Sequence, residues 1–296
     1  MCGIVNSDKE MFNIMNSTEI NELQITACKA RLYALEGIFN AKSGHPGGSF
    51  SAADIYTYLY EKELNVDPSD PHKADRDRFV LSKGHCCPSL YAVLALKGFF
   101  PVEELPKLRK VGAMLQGHPD MKSTPGIDMS SGSLGQGISA ACGMALAGKI
   151  DNKDYRVYTL LGDGECEEGQ VWEALMFAAH KNLDNLCVII DCNGLQIDGT
   201  VAEVGGLEPL DKKLEAFGFE VFKMDGHDFS SIEEAVSSAK KVSGKPQAII
   251  AKTVKGRGVS YMENQVNWHG AAPNAELYEV GRKELLESLA ELGGTL

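Results

Sequence analysis

The stretch RVYTLLGDGECEEGQVWEA, residues 156–174, decides the fold. An apolar run of strand length ends at a glycine-flanked carboxylate, Asp163, and a segment of helical period begins near Glu168. A strand that leads directly into a helix is typical of a parallel sheet covered by helices. Ligands of such sheets lie beyond the carboxyl ends of the strands, so the stretch predicts a ligand site around Asp163.

The same alternation runs through the rest of the chain. Strands are predicted at 157–163, 187–193, 219–225 and 247–254. Helices are predicted at about 17–40, 51–63, 133–149, 168–181, 207–217, 230–242 and 274–292. The sequence contains no internal repeat, low-complexity tract or linker rich in Pro, Gly and Ser. We therefore expect an α/β fold, a mostly parallel sheet with helices on both faces, in a single domain over residues 1–296.

Composition excludes several classes of partner. The 296 residues carry a formal net charge of −12, with 44% hydrophobic and 24% charged residues. Nucleic acids and anionic membranes need clustered Lys and Arg, so neither is expected as the main partner. The eight cysteines are scattered without a CxxC pair, and the N-terminal residues 1–16 lack the pattern of a signal peptide. These features predict reduced thiols and a cytoplasmic protein.

Polar residues follow two neighbouring predicted strands. Asn193 ends the strand after Asp163 and comes 30 residues later, and adjacent parallel strands bring such tips together. Asp163, Asn193 and the main-chain carbonyl of Leu195 provide half of an octahedral oxygen site for Mg²⁺ or Ca²⁺, which diphosphate oxygens and water would complete. The other acids of GDGECEEG are expected to be solvated or to meet another surface. The alternative is that Asp163-Gly164 forms only a turn and Asn193 only a cap.

Five histidines adjoin a glycine, namely His45, His85, His118, His227 and His269. A histidine in a glycine-flanked loop is exposed at a tight turn, although any one of them is more often structural than functional. Several neutral imidazoles in one site suit hydroxyl recognition and proton transfer near neutral pH. Their spacings are not those of a zinc site.

Seven ordered segments carry a family resemblance. They are AKSGHPGG, DRFVLSKGH, GHPD, SSGSLGQGIS, GDGECEEGQVWEA, DCNGLQIDG and AKTVKGRGVSYMENQVNWHG. In this order and at these spacings, the chain resembles the N-terminal half of a transketolase over about residues 18–275. The resemblance implies a thiamine diphosphate-binding fold of the diphosphate-binding type.

The resemblance also implies a cofactor site. Thiamine diphosphate would be held through a divalent ion on Asp163, Asn193 and the carbonyl of Leu195. The loops lining the diphosphate and the thiazolium ring would be formed by Gly164 and by the segment Gly132, Ser133 and Leu134. His85 and Lys255 match positions near the diphosphate. The segment GSLGQGIS is equally compatible with a glycine-rich helix packed closely on the sheet.

The implied reaction moves a two-carbon ketol unit from a ketose phosphate to an aldose phosphate, as in the pentose phosphate pathway. His45, His118 and His269 match positions around the thiazolium carbon and the first hydroxyls of the donor sugar, and His85 is counted with them as catalytic. There they would orient the substrate and transfer protons. Lys83 matches less closely, so we expect it to be solvated or ion-paired.

No segment resembles the family's pyrimidine-binding half. The resemblance therefore implies one chain of a split transketolase, inactive alone and assembled with a C-terminal subunit, two copies of each. Glu168 matches a position that meets this partner near the cofactor, although an ordinary first-turn helix acid explains it equally well. Two other interpretations stay open: a subunit of another split thiamine diphosphate enzyme, and a homologue without catalytic activity.

Overall fold

A computed structural model describes residues 15–296, so Cys2 and most of the N-terminal residues 1–16 lie outside the described residues. Within the described part, five strands form one parallel sheet in the order β1-β2-β3-β7-β6. They are β1 Arg78–Leu81, β2 Val157–Gly162, β3 Leu186–Cys192, β6 Glu220–Asp225 and β7 Gln247–Lys252, while β4 Leu195–Gln196 and β5 Gly199–Thr200 form a small antiparallel pair. The predicted fold class, α/β with a mostly parallel sheet, is confirmed.

Helices cover both faces of this sheet. In chain order they are α1 Ser17–Ala41, α2 Pro46–Ser51, α3 Ala53–Tyr58, α4 Cys87–Lys97, α5 Gln136–Ile150, α6 Gly169–His180, α7 Val201–Val204, α8 Leu210–Ala216, α9 Phe229–Lys240 and α10 Ala275–Glu291. None of the helices in residues 15–296 is long and apolar enough to cross a membrane. The seven cysteines in this part of the chain are free thiols.

Successive residues of the central strands enter different cores. Leu160 and Ile189 pack in the cluster that includes residues of α1, α3, α4 and α9. Leu161 and Ile190, one position later, pack in the cluster formed with α5, α6 and α8. A strand covered on both faces favours apolar residues at nearly every position, which is why VYTLL and CVII are apolar apart from Thr159. This arrangement leaves the carboxyl ends of the strands for a site.

Helix α1 has clear sequence signals at both ends. The Asn16 side chain accepts hydrogen bonds from the N–H groups of Thr18 and Glu19, and the Glu19 carboxylate accepts from the N–H of Asn16, which completes a capping box. At the other end Lys42 adopts the left-handed conformation and closes the helix. These local interactions explain why the predicted helix 17–40 agrees with the structure.

The largest differences from the prediction lie in two regions. The expected helix 51–63 is divided into α2, α3 and a π-helical turn over Leu59–Glu63, and α2 begins five residues earlier, with Pro46 at its first position. Strand β1 and helix α4 were not predicted. Strand β1 has only four residues, too few for a periodic signal, and α4 is buried along nearly its whole length, so it lacks a polar face.

Candidate active site

The carboxyl ends of β2 and β3 lie side by side. Gly162 pairs with Asp191 in the parallel ladder, so Asp163 and Asn193 both follow the ends of adjacent strands. The carboxylate of Asp163 accepts the N–H of Gly194 at 2.6 Å through Oδ2 and the N–H of Gly164 at 2.8 Å through Oδ1. One carboxylate therefore joins the loops that follow the two strands.

Asp163 is a buried anion, with 5% of its surface exposed. Burial, and then the nearby carboxylate of Asp191, raise the pKa of Asp163 to about 6. A carboxylate in this setting is stabilised by a cation. Its chemistry fits the hard oxygen ligand expected from the sequence.

The other two expected metal ligands lie in the next loop. The side-chain oxygen of Asn193 accepts the N–H of Leu195 at 3.2 Å, and the carbonyl oxygen of Leu195 accepts from Nζ of Lys255 at 3.0 Å. Each oxygen has a second lone pair for a cation. Within residues 15–296, no group of three or more His, Cys, Asp or Glu forms a metal centre. A site of one carboxylate, one amide and one carbonyl oxygen fits a hard cation such as Mg²⁺ or Ca²⁺ rather than zinc.

Several expected metal, cofactor and catalytic residues line one cavity. They are His85, Leu134, Asp163, Gly164, Asn193, Leu195, Lys255 and His269. The cavity lies at the ends of β1, β2, β3 and β7, where a parallel sheet places its ligands. The residues thus present oxygen acceptors for a cation and ammonium and imidazole groups for an anionic ligand, which fits a metal-bound diphosphate.

The loop before α5 borders the histidines. Gly132 has a φ of +153° and lies so close to His118 that a Cβ there would be 2.9 Å from the imidazole Cδ2. Ser133 is exposed and Leu134 is partly buried. Glycine at position 132 therefore allows the backbone to pass against an imidazole ring.

Four histidines converge beside this cavity. The ring centroid of His45 lies 5.1 Å from that of His85, 5.7 Å from that of His269 and 6.3 Å from that of His118. The rings of His85 and His269 are stacked, with centroids 5.1 Å apart. Although far apart in the sequence, these four imidazoles form one cluster, whereas His227 binds other groups.

The four imidazoles are held in the neutral form. Burial, then the Arg109 guanidinium, lower the pKa of His45 to about 4, and burial, then Lys255, lower that of His269 to about 4. Burial also lowers the pKa of His85 and of His118. Neutral imidazoles both donate and accept hydrogen bonds, which suits contacts with hydroxyl groups. Nδ1 of His45 is buried and has no hydrogen-bond partner in the described structure.

Lys83 is not solvated, and its alternative assignment as an ion-pair partner is the one observed. Its ammonium group forms an ion pair with Asp191, and the side chains of the two residues are 3% and 0% exposed. Burial alone would lower the pKa of Lys83, but the Asp191 carboxylate raises it above the usual value. Ser51 Oγ also donates to Asp191 at 2.5 Å. Lys83 also lines the cavity, so this buried cluster forms part of its wall.

The expectation that the remaining acids of GDGECEEG are solvated or meet another surface is wrong for Glu165. It is 3% exposed, whereas Glu167 and Glu168 are exposed. Its carboxylate accepts from Ser82 Oγ at 2.5 Å, from the N–H of Gly135 at 2.9 Å and from the N–H of Gly162 at 3.0 Å. These contacts join the end of β1, the start of α5 and the end of β2.

Glu165, Asp191 and Arg109 were not predicted as site residues from the sequence. The motif LSKGH contained a signal for the pair of Lys83 and Asp191. Lys83 comes two residues after the end of β1 and so lies at the same edge of the sheet as Asp163. Glu168 lies at the start of α6 without a side-chain capping bond and beside Gly135, where a Cβ would be 3.0 Å from its own. Its carboxylate is free to meet a surface outside this chain.

Comparisons with known proteins find similar proteins of one family. Residues 23–285 match the family model described as transketolase, thiamine diphosphate binding domain. The 6-deoxy-6-sulfo-D-fructose transketolase subunit of Clostridium sp. (strain MSTE9) is 47% identical over 264 residues, covering 89% of this chain and 96% of that protein. The apulose-4-phosphate transketolase subunit of Phocaeicola vulgatus is 42% identical over 274 residues, covering 93% of this chain and 97% of that protein.

Longer relatives match over only part of their length. Human transketolase is 43% identical over 262 residues, which are 88% of this chain but 41% of the human protein. The crystal structure of transketolase from Campylobacter jejuni superposes with a TM-score of 0.85 at 33% identity, covering 94% of this chain and 46% of that one. The chain thus has the length of the relatives named as subunits and less than half the length of these two transketolases.

Proposed function

The chain belongs to the transketolase family, and we propose that it is the thiamine diphosphate-binding subunit of a two-chain transketolase that moves a ketol unit between sugar phosphates. The observation that carries the proposal is the convergence of Asp163, Asn193 and Lys255 in one cleft, beside a cluster of four neutral histidines. Each of these features occurs alone in many proteins. Their combination supports a site that binds a metal-bound diphosphate cofactor and a hydroxyl-bearing substrate.

The expected metal ligands have a defined task in this proposal. Asp163, Asn193 and the carbonyl of Leu195 would hold the divalent cation, either Mg²⁺ or Ca²⁺. His85 and Lys255 would donate hydrogen bonds to the diphosphate, and Gly132, Ser133, Leu134 and Gly164 would line it together with the thiazolium ring. When bound, thiamine diphosphate supplies the nucleophile and the electron sink that let the carbon–carbon bond of the ketose break.

The histidines bind the substrate and move protons. The ammonium group of Lys255 donates to Nδ1 of His269 at 3.1 Å, so the proton of the neutral imidazole lies on Nε2. His269 is therefore set to donate from Nε2 to a hydroxyl or carbonyl oxygen. His45, whose Nδ1 has no partner in the described structure, and His118 add further positions that donate or accept. These residues would orient the sugar's first hydroxyls and exchange protons with them.

A second chain would complete the active site. The two relatives named as subunits have this chain's length, and the proposed partner is a separate C-terminal subunit that carries the pyrimidine-binding domain. Helix α6 exposes Met176 and Phe177, with 61% and 39% of their surfaces accessible, and the exposed Glu168 precedes its first turn. Exposed apolar side chains on this helix are suited to contact with such a partner. We propose an assembly of two copies of each chain, in the cytoplasm.

The test is a turnover assay with thiamine diphosphate and Mg²⁺, using this chain alone and mixed with a candidate pyrimidine-domain chain. Donors should include xylulose 5-phosphate, 6-deoxy-6-sulfofructose and apulose 4-phosphate, because relatives are named for the last two sugars. Activity only in the mixture, lost in Asp163→Asn, supports the proposal. Turnover by the chain alone contradicts the two-chain part. A bound partner without turnover on any donor favours another split enzyme or a homologue without catalytic activity.

A further inference from the structure

His227 is the glycine-flanked histidine that lies outside the four-histidine cluster. Its Nε2 accepts the N–H of Val254 at 2.8 Å, and its Nδ1 lies 2.7 Å from Oδ2 of Asp54. The side chain is 11% exposed. A backbone N–H only donates, so Nε2 is unprotonated, and the proton of the neutral ring lies on Nδ1 and is donated to Asp54. The two hydrogen bonds fix the ring's tautomer and its orientation.

Asp54 is itself fixed from the opposite side. Arg31 donates to its two oxygens at 3.0 and 2.5 Å and also to the carbonyl oxygen of Phe50. Burial would raise the pKa of Asp54, but the Arg31 guanidinium and the hydrogen bond from His227 lower it to about 2. A charged, bidentate pair in a buried setting holds its geometry closely. The position of His227 is thus set by α1 and α3.

The loop that carries His227 packs closely against the end of β7. The N–H of Gly226 donates to the carbonyl of Lys252 at 2.8 Å, and a Cβ on Gly226 would lie 2.5 Å from Cγ2 of Thr253. Only glycine permits this close approach without a shift. It places the imidazole of His227 against the backbone of the residue that precedes Lys255.

The segment 253–256 carries Lys255 into the cofactor cleft, and three of its amide groups are separately anchored. The N–H of Thr253 donates to Cys192, that of Val254 to His227, and that of Gly256 to Gly47. The anchor of Val254 is the one made by a side chain. Without it, the N–H next to the buried Lys255 would have no acceptor among the contacts of the described residues.

We propose that His227 is a positioning residue for Lys255: through the Val254 N–H it holds the backbone that presents the ammonium group to the cofactor's diphosphate. The inference rests on the proposed function, since it assigns Lys255 to that diphosphate. Asp54 and Arg31 act behind His227 by fixing the imidazole. The contacts from Arg31 through Asp54 to His227 lie outside the cleft and touch no reacting atom.

Two substitutions separate positioning from a general loss of packing. Glutamine carries its terminal oxygen at the distance of Nε2, so His227→Gln can still accept from Val254. Asparagine reaches only as far as Nδ1, so His227→Asn can still donate to Asp54 but leaves the Val254 N–H unpaired. His72→Asn is the matched control, because His72 is exposed.

The measurements are hydrogen exchange of the Val254 amide in the cofactor-free chain and calorimetric titration of thiamine diphosphate with Mg²⁺ into the two-chain complex. We expect His227→Asn to raise the exchange rate and the cofactor Kd about tenfold, as for a buried donor without a partner. His227→Gln and His72→Asn should stay within about twofold of the parent. In a Lys255→Met background, His227→Asn should still speed exchange but should not weaken cofactor binding further.

Three results would overturn the proposal: unchanged Val254 exchange in His227→Asn, equal losses in His227→Gln and His227→Asn, or a further loss of cofactor affinity in the Lys255→Met background. Failure of the proposed function would look different. The parent complex would then not bind thiamine diphosphate, while the exchange comparison, which uses no cofactor, would still decide whether His227 holds the backbone.

Discussion

Nζ of Lys255 lies 3.1 Å from Nδ1 of His269, and the same ammonium group lies 3.0 Å from the carbonyl oxygen of Leu195. A single cation thus touches one of the clustered histidines and one of the expected metal ligands. Lys255 is only 2% exposed, and burial lowers its pKa. This contact joins the loop of the expected metal ligands to the histidine cluster.

Replacing Lys255 should weaken cofactor binding. Lys255→Met removes the hydrogen bonds to Leu195 and His269 and the positive charge, and we expect thiamine diphosphate to bind about 10- to 100-fold more weakly, since hydrogen bonds to charged groups contribute about 1.5–3 kcal/mol. Titration calorimetry measures the change. The control is Lys252→Met, because Lys252 is exposed and ends β7, the strand that precedes Lys255. Unchanged affinity in Lys255→Met would remove Lys255 from the diphosphate site.

Asp163→Asn should separate cofactor binding from stability. We expect the Mg²⁺-dependent rise in melting temperature caused by thiamine diphosphate to disappear, because the carboxylate ligand is lost. The cofactor-free chain should change little in stability at pH 7, because two effects offset each other. The substitution removes a buried charge whose pKa the folded state raises to about 6, but it also removes the acceptor oxygen of the Gly164 or the Gly194 N–H. Differential scanning fluorimetry reports both. A normal cofactor-induced shift would refute the metal assignment.

Glu165→Gln should destabilise the chain. The amide has one acceptor oxygen for the three donors that the carboxylate binds, so at least one buried N–H loses its partner, at a cost of about 1–3 kcal/mol. Denaturant unfolding at pH 7 measures this loss. Glu167→Gln, in the same turn but exposed, should change the free energy of unfolding by no more than about 0.5 kcal/mol. Equal changes in the free energy of unfolding for the two variants would show that the three hydrogen bonds of Glu165 do not stabilise the chain.

Lys83→Met should be the more damaging of two lysine substitutions. It leaves the buried carboxylate of Asp191 without its cation, and the free energy of unfolding should fall by about 3–5 kcal/mol. Lys97→Met breaks the more exposed pair with Glu61 and should cost no more than about 1 kcal/mol. In Lys83→Met/Asp191→Asn, most of the loss should be recovered. No recovery would mean that the charge of Asp191 is not the cause.

Acid should destabilise the chain in part through its histidines. The pKa of His269 is about 4 in the folded state against an ordinary 6.5, so the unfolded chain binds the proton first and the free energy of unfolding falls between pH 6.5 and 4. The parent should lose more stability over this window than His269→Asn, by at most about 1 kcal/mol after solvent screening. Denaturant unfolding from pH 4 to 7 tests this, with His72→Asn as the control. Parallel profiles for the parent and His269→Asn would contradict it.

Local sequence was sufficient to predict the two strands that position Asp163 and Asn193. The apolar run before Asp163 and the one before Asn193 predicted two strands, and the structure pairs them directly. Both signals are local, because a strand buried on both faces needs unbroken apolar residues and a turn beside a ligand needs glycine. The likeness of seven ordered motifs to a known family added the cofactor, which neither periodicity nor composition contains.

The tertiary structure decided which charges are buried and which imidazoles meet. Glu165 and Glu167 look alike in the sequence, yet only Glu165 turns inward, where it meets three donors from separate loops. Likewise, His227 is next to a glycine, as His269 is, but His227 contacts Asp54 and Val254 instead of the other histidines. Sequence alone determined where β2 and β3 end and which polar groups follow them. The packing of distant elements decided the partners of those groups, because the free energy of a buried charge depends on groups that the chain brings together only when it folds.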